Sequence, residues 1–458
     1  MYPATSSVAK GTSSLSPAER RAAGKALRSQ VPRSSQARWL PAPNRPDPLI
    51  ILETSNQSRL ADLVPIRYGR MLLSPFAYLR GAASVMAHDL AATQVTGLMV
   101  QLCGDAHLGN FGTYATPERH QVFDLNDFDE TLPGPWEWDI KRLVASVVVA
   151  GRTRGFSEAQ NVEAVQWCVQ SYRHHLWEFS GMRYLERWYA RVDAQSTLLQ
   201  GDLDERRYLT RAAEKARQRT SIHSFPKLTE HVQGQYRIKD EPPLIRHLAD
   251  EAVEKQVRNL VEGYGASLPE EREVLLSHYH LVDLAQKVAG VGSVGTRCYV
   301  ALLLGDDHTD PLFLQIKEAQ PSVLEAHLAP SRASSPAQRV VMGQHLIQGA
   351  SDIFLGWAQS GARSFYVRQL RDMSLSAHLE HLRARAFLTY VELCGWVLAR
   401  AHARSGDAVQ LSSYLGRNEA FDQAMATFAT TYADQVEQDY AALVRAAQMG
   451  RIHAVEEA

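Results

Sequence analysis

The sequence has few cysteines and no long hydrophobic run. Its four cysteines are widely spaced and form no Cys-x-x-Cys pair, at Cys103, Cys168, Cys298 and Cys394. This spacing argues against a disulfide framework or a thiolate metal site and favours a reducing compartment. No apolar run approaches the roughly 20 residues of a membrane-spanning helix, and the first residues lack the apolar core of a signal peptide. We therefore expect a cytoplasmic protein with no membrane partner.

The sequence also lacks an excess of charge of either sign. Lys and Arg together number 49, Asp and Glu together number 50, and the net charge is −1. This balance gives no sign of a surface for nucleic acid. The 458 residues are 45% hydrophobic, which is enough for a large core. We expect a small molecule as the partner, and the composition leaves the oligomeric state open.

Shifts in composition divide the chain into four predicted segments. Residues 1–45, rich in Ser, Ala and Arg, are predicted to be a flexible N-terminal arm. The other three segments are a large helical lobe at 46–278, a small sheet-rich lobe at 279–372, and a helical C-terminal part of the large lobe at 373–458. Two short strand candidates, 98–102 and 121–123, are predicted to pair as a hairpin with acidic residues at its mouth. The predicted class is α+β.

The first motif with chemical content is GDAHLGN at residues 104–110, followed by the acidic run DLNDFDE at 124–130. Phosphoryl transfer needs a carboxylate to accept the proton of the attacking group and oxygen ligands for magnesium. Asp105 is the candidate base, Asn110 one candidate metal ligand, and Asp127 the second, with Asp124 as the alternative. His107 is predicted to support the loop. A plain turn is the competing interpretation, because Gly, Asn and Asp favour turns.

The second motif is GVGSVG at residues 290–295, which places Gly290, Gly292 and Gly295 at GxGxxG spacing around Ser293. The residues that follow are β-prone, which favours a glycine-rich hairpin over phosphates rather than a dinucleotide fold. Lys317 lies on a later strand candidate and is predicted to bind the α- and β-phosphates of ATP. Glu325 is its predicted partner, with Asp352 as a weaker choice. A turn and a solvated edge-strand lysine are the competing interpretations.

The two motifs stand in the reverse of the usual order, since an ordinary kinase has its glycine loop and lysine before its catalytic loop. Each motif is chemically incomplete alone, because magnesium ligands need a phosphate cradle and a glycine loop needs acids. We therefore predict that the hairpin at 285–317 folds over the acidic residues at 98–128. Lys317 should then approach Asp127 across a cleft.

A family resemblance supports this interpretation. Residues 104–110 resemble the Gly-Asp-x-His-x-Gly-Asn loop of aminoglycoside phosphotransferases and choline kinases, and Asp127-Phe128 followed by Asp139 has the spacing of those families. The resemblance implies a protein-kinase-like, two-lobed fold in permuted order. It also implies that Asp105 is the catalytic base, that Asn110 and Asp127 bind Mg²⁺, and that Asp139 supports the loop. Cys103 departs from the pattern, since those families usually have His there.

Over nearly its whole length the chain also resembles the uncharacterised bacterial family DUF2252. The matching stretches are PIRYGRM at 65–71, SPF at 74–76, GDAHLGNFG at 104–112, VGSVGTR at 291–297 and QIKEA at 315–319. This resemblance is specific, but it implies no function.

The leading functional hypothesis is an ATP- and magnesium-dependent phosphotransferase that moves the γ-phosphoryl group to a small hydroxyl- or amino-bearing molecule. The alternatives are a pseudokinase or nucleotide-binding regulator without turnover, and nucleotidyl transfer to protein. A metal-dependent phosphoesterase is disfavoured because its further histidine motifs are absent. Arg67, Arg70, Arg80 and Arg368 are candidates for contacts with phosphate or an acidic substrate, with structural ion pairs as the competing explanation.

Overall fold

The computed structural model describes residues 15–193, 214, 216–288, 290–370, 373, 375, 376 and 379–455. Helices take 53% of the described residues and strands 17%, so the class is mixed α and β with small sheets. No helix in these ranges is long and apolar enough to cross a membrane.

The α-helices of these ranges are, in chain order, α1 (Pro17–Gln30), α2 (Pro48–Asn56), α3 (Val64–Met71), α4 (Pro75–Gly81), α5 (Ala83–Ala91), α6 (Trp136–Thr153), α7 (Glu158–Gly181), α8 (Tyr184–Tyr189), α9 (Ser221–Leu228), α10 (Glu251–Gly263), α11 (Glu270–Ser277), α12 (Pro336–Ile347), α13 (Ala384–Ser405), α14 (Ala408–Leu415) and α15 (Ala420–Gln448).

The strands are β1 (Met99–Leu102), β2 (Phe111–Ala115), β3 (Gln121–Leu125), β4 (Leu132–Pro135), β5 (Val192–Asp193), β6 (Thr229–Val232), β7 (Gln235–Ile238), β8 (Ile245–His247), β9 (His280–Lys287), β10 (Cys298–Leu304), β11 (Pro311–Ala319), β12 (Gly356–Ser360), β13 (Arg363–Gln369) and β14 (Leu375–Ser376).

The largest core lies among α6, α7, α13 and α15. Helix α6 is buried on every side over most of its length, from Trp136 to Gly151, and its run of Val and Ala lets neighbouring helices pack around it. Helices α7 and α13 approach so closely that a Cβ at Gly395 would overlap the carbonyl oxygen of Cys168. This close-packed helical body carries the acidic loops.

A six-stranded antiparallel sheet forms a second layer, in the order β12-β13-β11-β10-β9-β8. Alternation along β11 divides its side chains between two faces. Leu312, Leu314 and Ile316 pack with the apolar cluster that includes residues of α10 and α11. Gln315 and Lys317 therefore share the opposite face. In the register, Lys317 lies opposite Cys298 of β10.

The predicted hairpin between 98–102 and 121–123 is wrong. β1 instead pairs with β4, and β3 pairs with β2. The sequence of β4 is Leu-Pro-Gly-Pro, which is not typical of a strand because proline and glycine are disfavoured inside β-strands. The acidic segment between β3 and β4 still lies beside the loop that follows β1, because the β2–β3 hairpin is inserted between the paired strands β1 and β4.

The N-terminal segment differs from the predicted flexible arm. Residues 1–14 lie outside the described residues, but α1 is a regular helix that begins with a capping box between Ser16 and Glu19. The Arg28 guanidinium donates to the carbonyl oxygens of Ser413 and Tyr414 at the end of α14. Arg45 forms ion pairs with Asp89 and Asp439. These contacts satisfy exposed helix-end carbonyls and buried acids, so the segment is held to the body.

Candidate active site

The loop after β1 is held by a buried carboxylate. Asp139, in the first turn of α6, accepts the backbone N–H of Cys103 at 2.7 Å and that of Gly104 at 3.0 Å. Gly104 has φ +86°, and a Cβ there would overlap the carbonyl oxygen of Glu130, so only glycine fits this turn. His402 lies 3.3 Å from Asp139 on the other side. Asp139 therefore has the loop-supporting position that the resemblance implied.

Asp105 projects from this loop into a cavity. One carboxylate oxygen accepts the Arg142 Nε–H at 2.8 Å, and the other lies 3.7 Å from His107 Nε2. Burial raises the pKa of Asp105, although Arg142 acts against this rise. Burial also lowers the pKa of His107 well below its usual range, and its Nδ1 accepts the Gly109 N–H at 3.0 Å. His107 thus braces the loop as a neutral ring.

Asn110 and Asp127 face the same cavity. The Asn110 side-chain amide donates to the Asp105 carbonyl oxygen at 2.8 Å, which leaves its Oδ1 for another ligand. The Asp127 side chain is 32% exposed. Both residues line the cavity that holds Asp105, and both line a second cavity beside it. An amide oxygen and a carboxylate in this position suit a hard cation such as Mg²⁺.

Asp124, the alternative metal ligand, has a different role. It is 2% exposed, and its oxygens accept hydrogen bonds from Arg400 at 2.7 Å and from the Gly349 N–H at 2.7 Å. The carboxylate is thus engaged inside the protein and ties β3 to α13. This leaves Asp127 as the acid that faces the cavity with Asn110.

Lys317 extends from β11 to the acidic segment. Its Nζ donates to Asp129 and lies 4.0 Å from Asp127 Oδ2. Burial opposes its charge, but Asp127 and Asp129 outweigh this effect and raise the pKa of Lys317 well above its usual range. Burial likewise opposes the charge on Asp129, yet Lys317 and Tyr366 prevail and lower the pKa of this carboxyl. The expected approach of Lys317 to Asp127 is present.

Glu325 does not pair with Lys317, so this part of the prediction is wrong. Its carboxylate accepts the Ser322 N–H at 3.2 Å and lies 3.7 Å from Arg339 Nε. Glu325 completes a capping box with Ser322 at the start of the 3₁₀ turn Val323–Ala326. That local hydrogen bond directs the carboxylate away from Lys317.

The glycine motif forms a turn between β9 and β10 that faces the acids. Gly290 and Gly295 have φ +59° and +90°, which glycine tolerates best. Ser293 Oγ lies 3.3 Å from Asp129 Oδ2. The turn and Asp105 line one cavity of about 90 Å³, so the two sequence motifs share a site.

A larger cavity of about 310 Å³ adjoins the first. Both cavities contain Asn110, Asp127 and Arg80, which therefore mark their junction. The wall of the larger cavity is mostly polar and includes Gln315, Gln344, Gln348, Asp352, Arg368 and Gln369. Such a wall favours a hydrogen-bonding ligand over an apolar one.

Sequence reasoning missed three residues of the site, which are Asp129, Tyr366 and Arg142. The Tyr366 hydroxyl donates to Asp129 at 2.7 Å, so the Asp129 carboxylate is held by two side chains of the sheet, Tyr366 and Lys317. Asp129 is two residues from Asp127, and its backbone N–H donates to Asp127 Oδ1 at 3.3 Å, as in a turn built on an Asp side chain. Arg142 is three residues after Asp139 on α6 and shares its helix face. These spacings could have identified Asp129 and Arg142 from the sequence.

The chain is similar to a described protein family. A family model described as "Uncharacterized protein conserved in bacteria (DUF2252)" matches residues 59–446. No curated protein and no solved structure matches the chain.

Proposed function

We propose, from the premise that this chain belongs to the uncharacterised bacterial family DUF2252, that it is an ATP- and magnesium-dependent phosphotransferase. The observation that carries the proposal is the meeting of Lys317 with Asp127 and Asp129 at the cavity that holds Asp105. A buried lysine, a glycine-rich turn, a metal-binding pair and a candidate base in one cleft form the set that phosphoryl transfer requires.

Each residue has a role in this proposal. Asp105 accepts the proton of the acceptor hydroxyl or amine, whose oxygen or nitrogen then bonds to the γ-phosphorus as the bond to the β-phosphate oxygen breaks and ADP leaves. The backbone N–H groups of 290–295 hold the phosphates, and Lys317 offsets their charge. Asn110 and Asp127 would hold magnesium, which supplies positive charge to the β- and γ-phosphates when bound.

The order of the elements supports a kinase-like fold in permuted form. Helix α13 follows the six-stranded sheet along the chain and ends beside β1, where Ser405 Oγ accepts the Gln101 N–H at 3.1 Å. In space the path thus continues from the sheet through α13 to β1, the Asp105 loop and the acidic segment. One departure is that α12 contains no acid. In protein kinases a helix glutamate forms an ion pair with the lysine, whereas here Asp129 does so.

Nucleotidyl transfer to protein is the second candidate. The larger cavity contains two guanidinium groups, those of Arg80 and Arg368, which suit phosphates better than a purine base. A nucleotide held in the reversed direction would present its α-phosphate near Asp105. The same residues could then transfer a nucleotidyl group instead of a phosphoryl group.

Labelled ATP separates these functions. The purified full chain is incubated with Mg²⁺ and with ATP labelled on the α- or the γ-phosphate, together with a panel of small alcohols and amines. We expect the γ-label to move to a small product, whereas α-label on protein would favour nucleotidyl transfer. Asp105→Asn should retain ATP binding and lose about 10²–10⁴-fold in turnover, and exposed Asp306→Asn should lose none. Unchanged turnover in Asp105→Asn would remove Asp105 from the mechanism.

A further inference from the structure

Three arginines form one wall of the cavity that holds Asp105. Arg59 follows α2, Arg67 lies on α3 and Arg80 lies on α4, and all three line the cavity. They come from the N-terminal part of the chain, which the proposed transfer reaction has not used. Of the two cavities, Arg59 and Arg67 line this one, whereas Arg80 lines both. The wall beside Asp105 is therefore cationic.

None of the three guanidinium groups forms an ion pair within the part of the chain that the structure describes. Arg67 is 2% exposed, and it donates only to the neutral oxygens of Asn56 and Gly81. Arg59 donates to the carbonyl oxygen of Val294. The Nε of each of the three arginines is buried and has no hydrogen-bond partner among the described residues. A buried charge with no opposite charge at contact distance is costly, so each group favours an added anion.

The acids of the same cavity are engaged from other directions. Asp105 is held by Arg142, and Asp129 by Lys317. Asp127 Oδ2 lies 4.0 Å from Lys317 Nζ. Glu130 accepts the Ser322 hydroxyl at 2.9 Å and the Val323 N–H at 2.7 Å. These carboxylates therefore do not neutralise the arginine wall at contact distance. In keeping with this, burial lowers the pKa of Arg67 well below its usual value.

We propose that the acceptor substrate is a small anionic alcohol or amine, whose phosphate or carboxylate group is bound by Arg59 and Arg80 with the charge of Arg67 behind them. This inference rests on the proposed phosphotransfer. The acceptor must reach Asp105, so its remaining groups lie in the cavity that Asp105 shares with the arginines. The volume of about 90 Å³ suits a compact acceptor. Arg80, at the junction of the cavities, also lies where the transferred phosphoryl group passes.

Anion binding to the nucleotide complex tests the proposal. The full chain is first saturated with Mg²⁺ and the non-hydrolysable analogue AMP-PNP, so that the triphosphate sites are filled. Inorganic phosphate, acetate and choline are then titrated by calorimetry. We expect an oxyanion to bind and choline not to bind, and the comparison of phosphate with acetate shows which anion is preferred. Arg59→Gln and Arg80→Gln should each weaken anion binding by about tenfold or more. Arg183→Gln, whose side chain is 89% exposed, should have no effect.

The outcomes are distinguishable. Weaker anion binding in either arginine variant, with the control unchanged, supports the proposal. Choline binding in place of the anions, or anion affinity that is unchanged in both variants, overturns it. If AMP-PNP does not bind, the proposed phosphotransfer fails, and the same titrations without nucleotide decide whether the arginine wall binds anions. An anion that is displaced by AMP-PNP occupies the donor site, and this result also overturns the proposal.

Discussion

Two opposing effects act on the pKa of Asp105, which are burial and the charge of the neighbouring Arg142. Burial raises its pKa, and Arg142, at 2.8 Å, limits the rise. A general base acts only when it is deprotonated. The pair therefore sets the lowest pH at which the proposed reaction proceeds.

Turnover should fall as the pH is lowered through this raised pKa, above the usual range of an aspartate. Arg142→Gln removes the charge that favours the carboxylate, so the acid limb of the rate profile should move to higher pH. The measurement is the pH dependence of kcat for folded wild-type and variant proteins, with Arg183→Gln as the control. An acid limb that stays in place in Arg142→Gln would show that Asp105 is not the titrating base.

Asp127 and Asp124 are three residues apart and should respond oppositely to the same substitution. Asp127→Asn should weaken the binding of Mg²⁺ with nucleotide and leave the free energy of unfolding nearly unchanged, because the side chain is partly exposed. Asp124→Asn should lower that free energy by about 3–5 kcal/mol, because it leaves the buried Arg400 unpaired. Urea unfolding and magnesium titration of each variant measure both effects. A reversed pattern would make Asp124 the metal ligand.

The residues whose roles could be predicted are those with a local pattern. The GDAHLGN run identified Asp105 and Asn110, and the glycine spacing identified the turn at 290–295. Glu325 was wrongly paired with Lys317 because closeness in sequence was used for closeness in space. Asp129, the actual partner, is 188 residues from Lys317, and no local pattern carries that information.

At the scale of elements, the errors have identifiable physical causes. β4 was missed because its two prolines and one glycine look like a turn. It can still pair with β1, because proline is tolerated at strand positions where no N–H is needed for a ladder hydrogen bond. The N-terminal arm was predicted from composition alone. The Ser16–Glu19 capping box was a better signal, and the docking of α1 depends on the distant α14. Strand pairing and helix docking are tertiary choices that a single segment does not specify.

Helix packing under the site depends on Gly395, where α13 meets α7. In Gly395→Ala the new methyl group would overlap the Cys168 carbonyl oxygen, so the helices must separate or bend. We expect a loss of about 1–3 kcal/mol in the free energy of unfolding. Gly181→Ala, which has open space around its Cβ position, should change it by about 0.5 kcal/mol or less. Equal effects of the two substitutions in urea unfolding would contradict this close packing.

At the scale of the whole molecule, the site depends on contacts between distant parts of the chain. The acidic segment is carried by the helical body, and Lys317 and Tyr366 are carried by the sheet. The stretch between α2 and α3 contacts the glycine turn of the sheet, since the Leu60 N–H donates to the Gly295 carbonyl oxygen at 2.8 Å. The mixed class could be predicted from residue periodicity, and the convergence of the two motifs from chemical need. Arg67 and Arg80 were candidates for contacts with an acidic substrate, but their grouping with Arg59 in one wall depends on tertiary contacts that no local pattern carries.

The structure of the full chain with Mg²⁺ and AMP-PNP tests the central claim most directly. We predict that the β- and γ-phosphates lie between the 290–295 turn and Lys317. The metal should lie at about 2.1 Å from oxygens of Asn110 and Asp127, with the γ-phosphate facing the cavity of Asp105. A nucleotide bound elsewhere, or a metal held without Asn110 and Asp127, would contradict the claim that the two motifs form one phosphotransfer site.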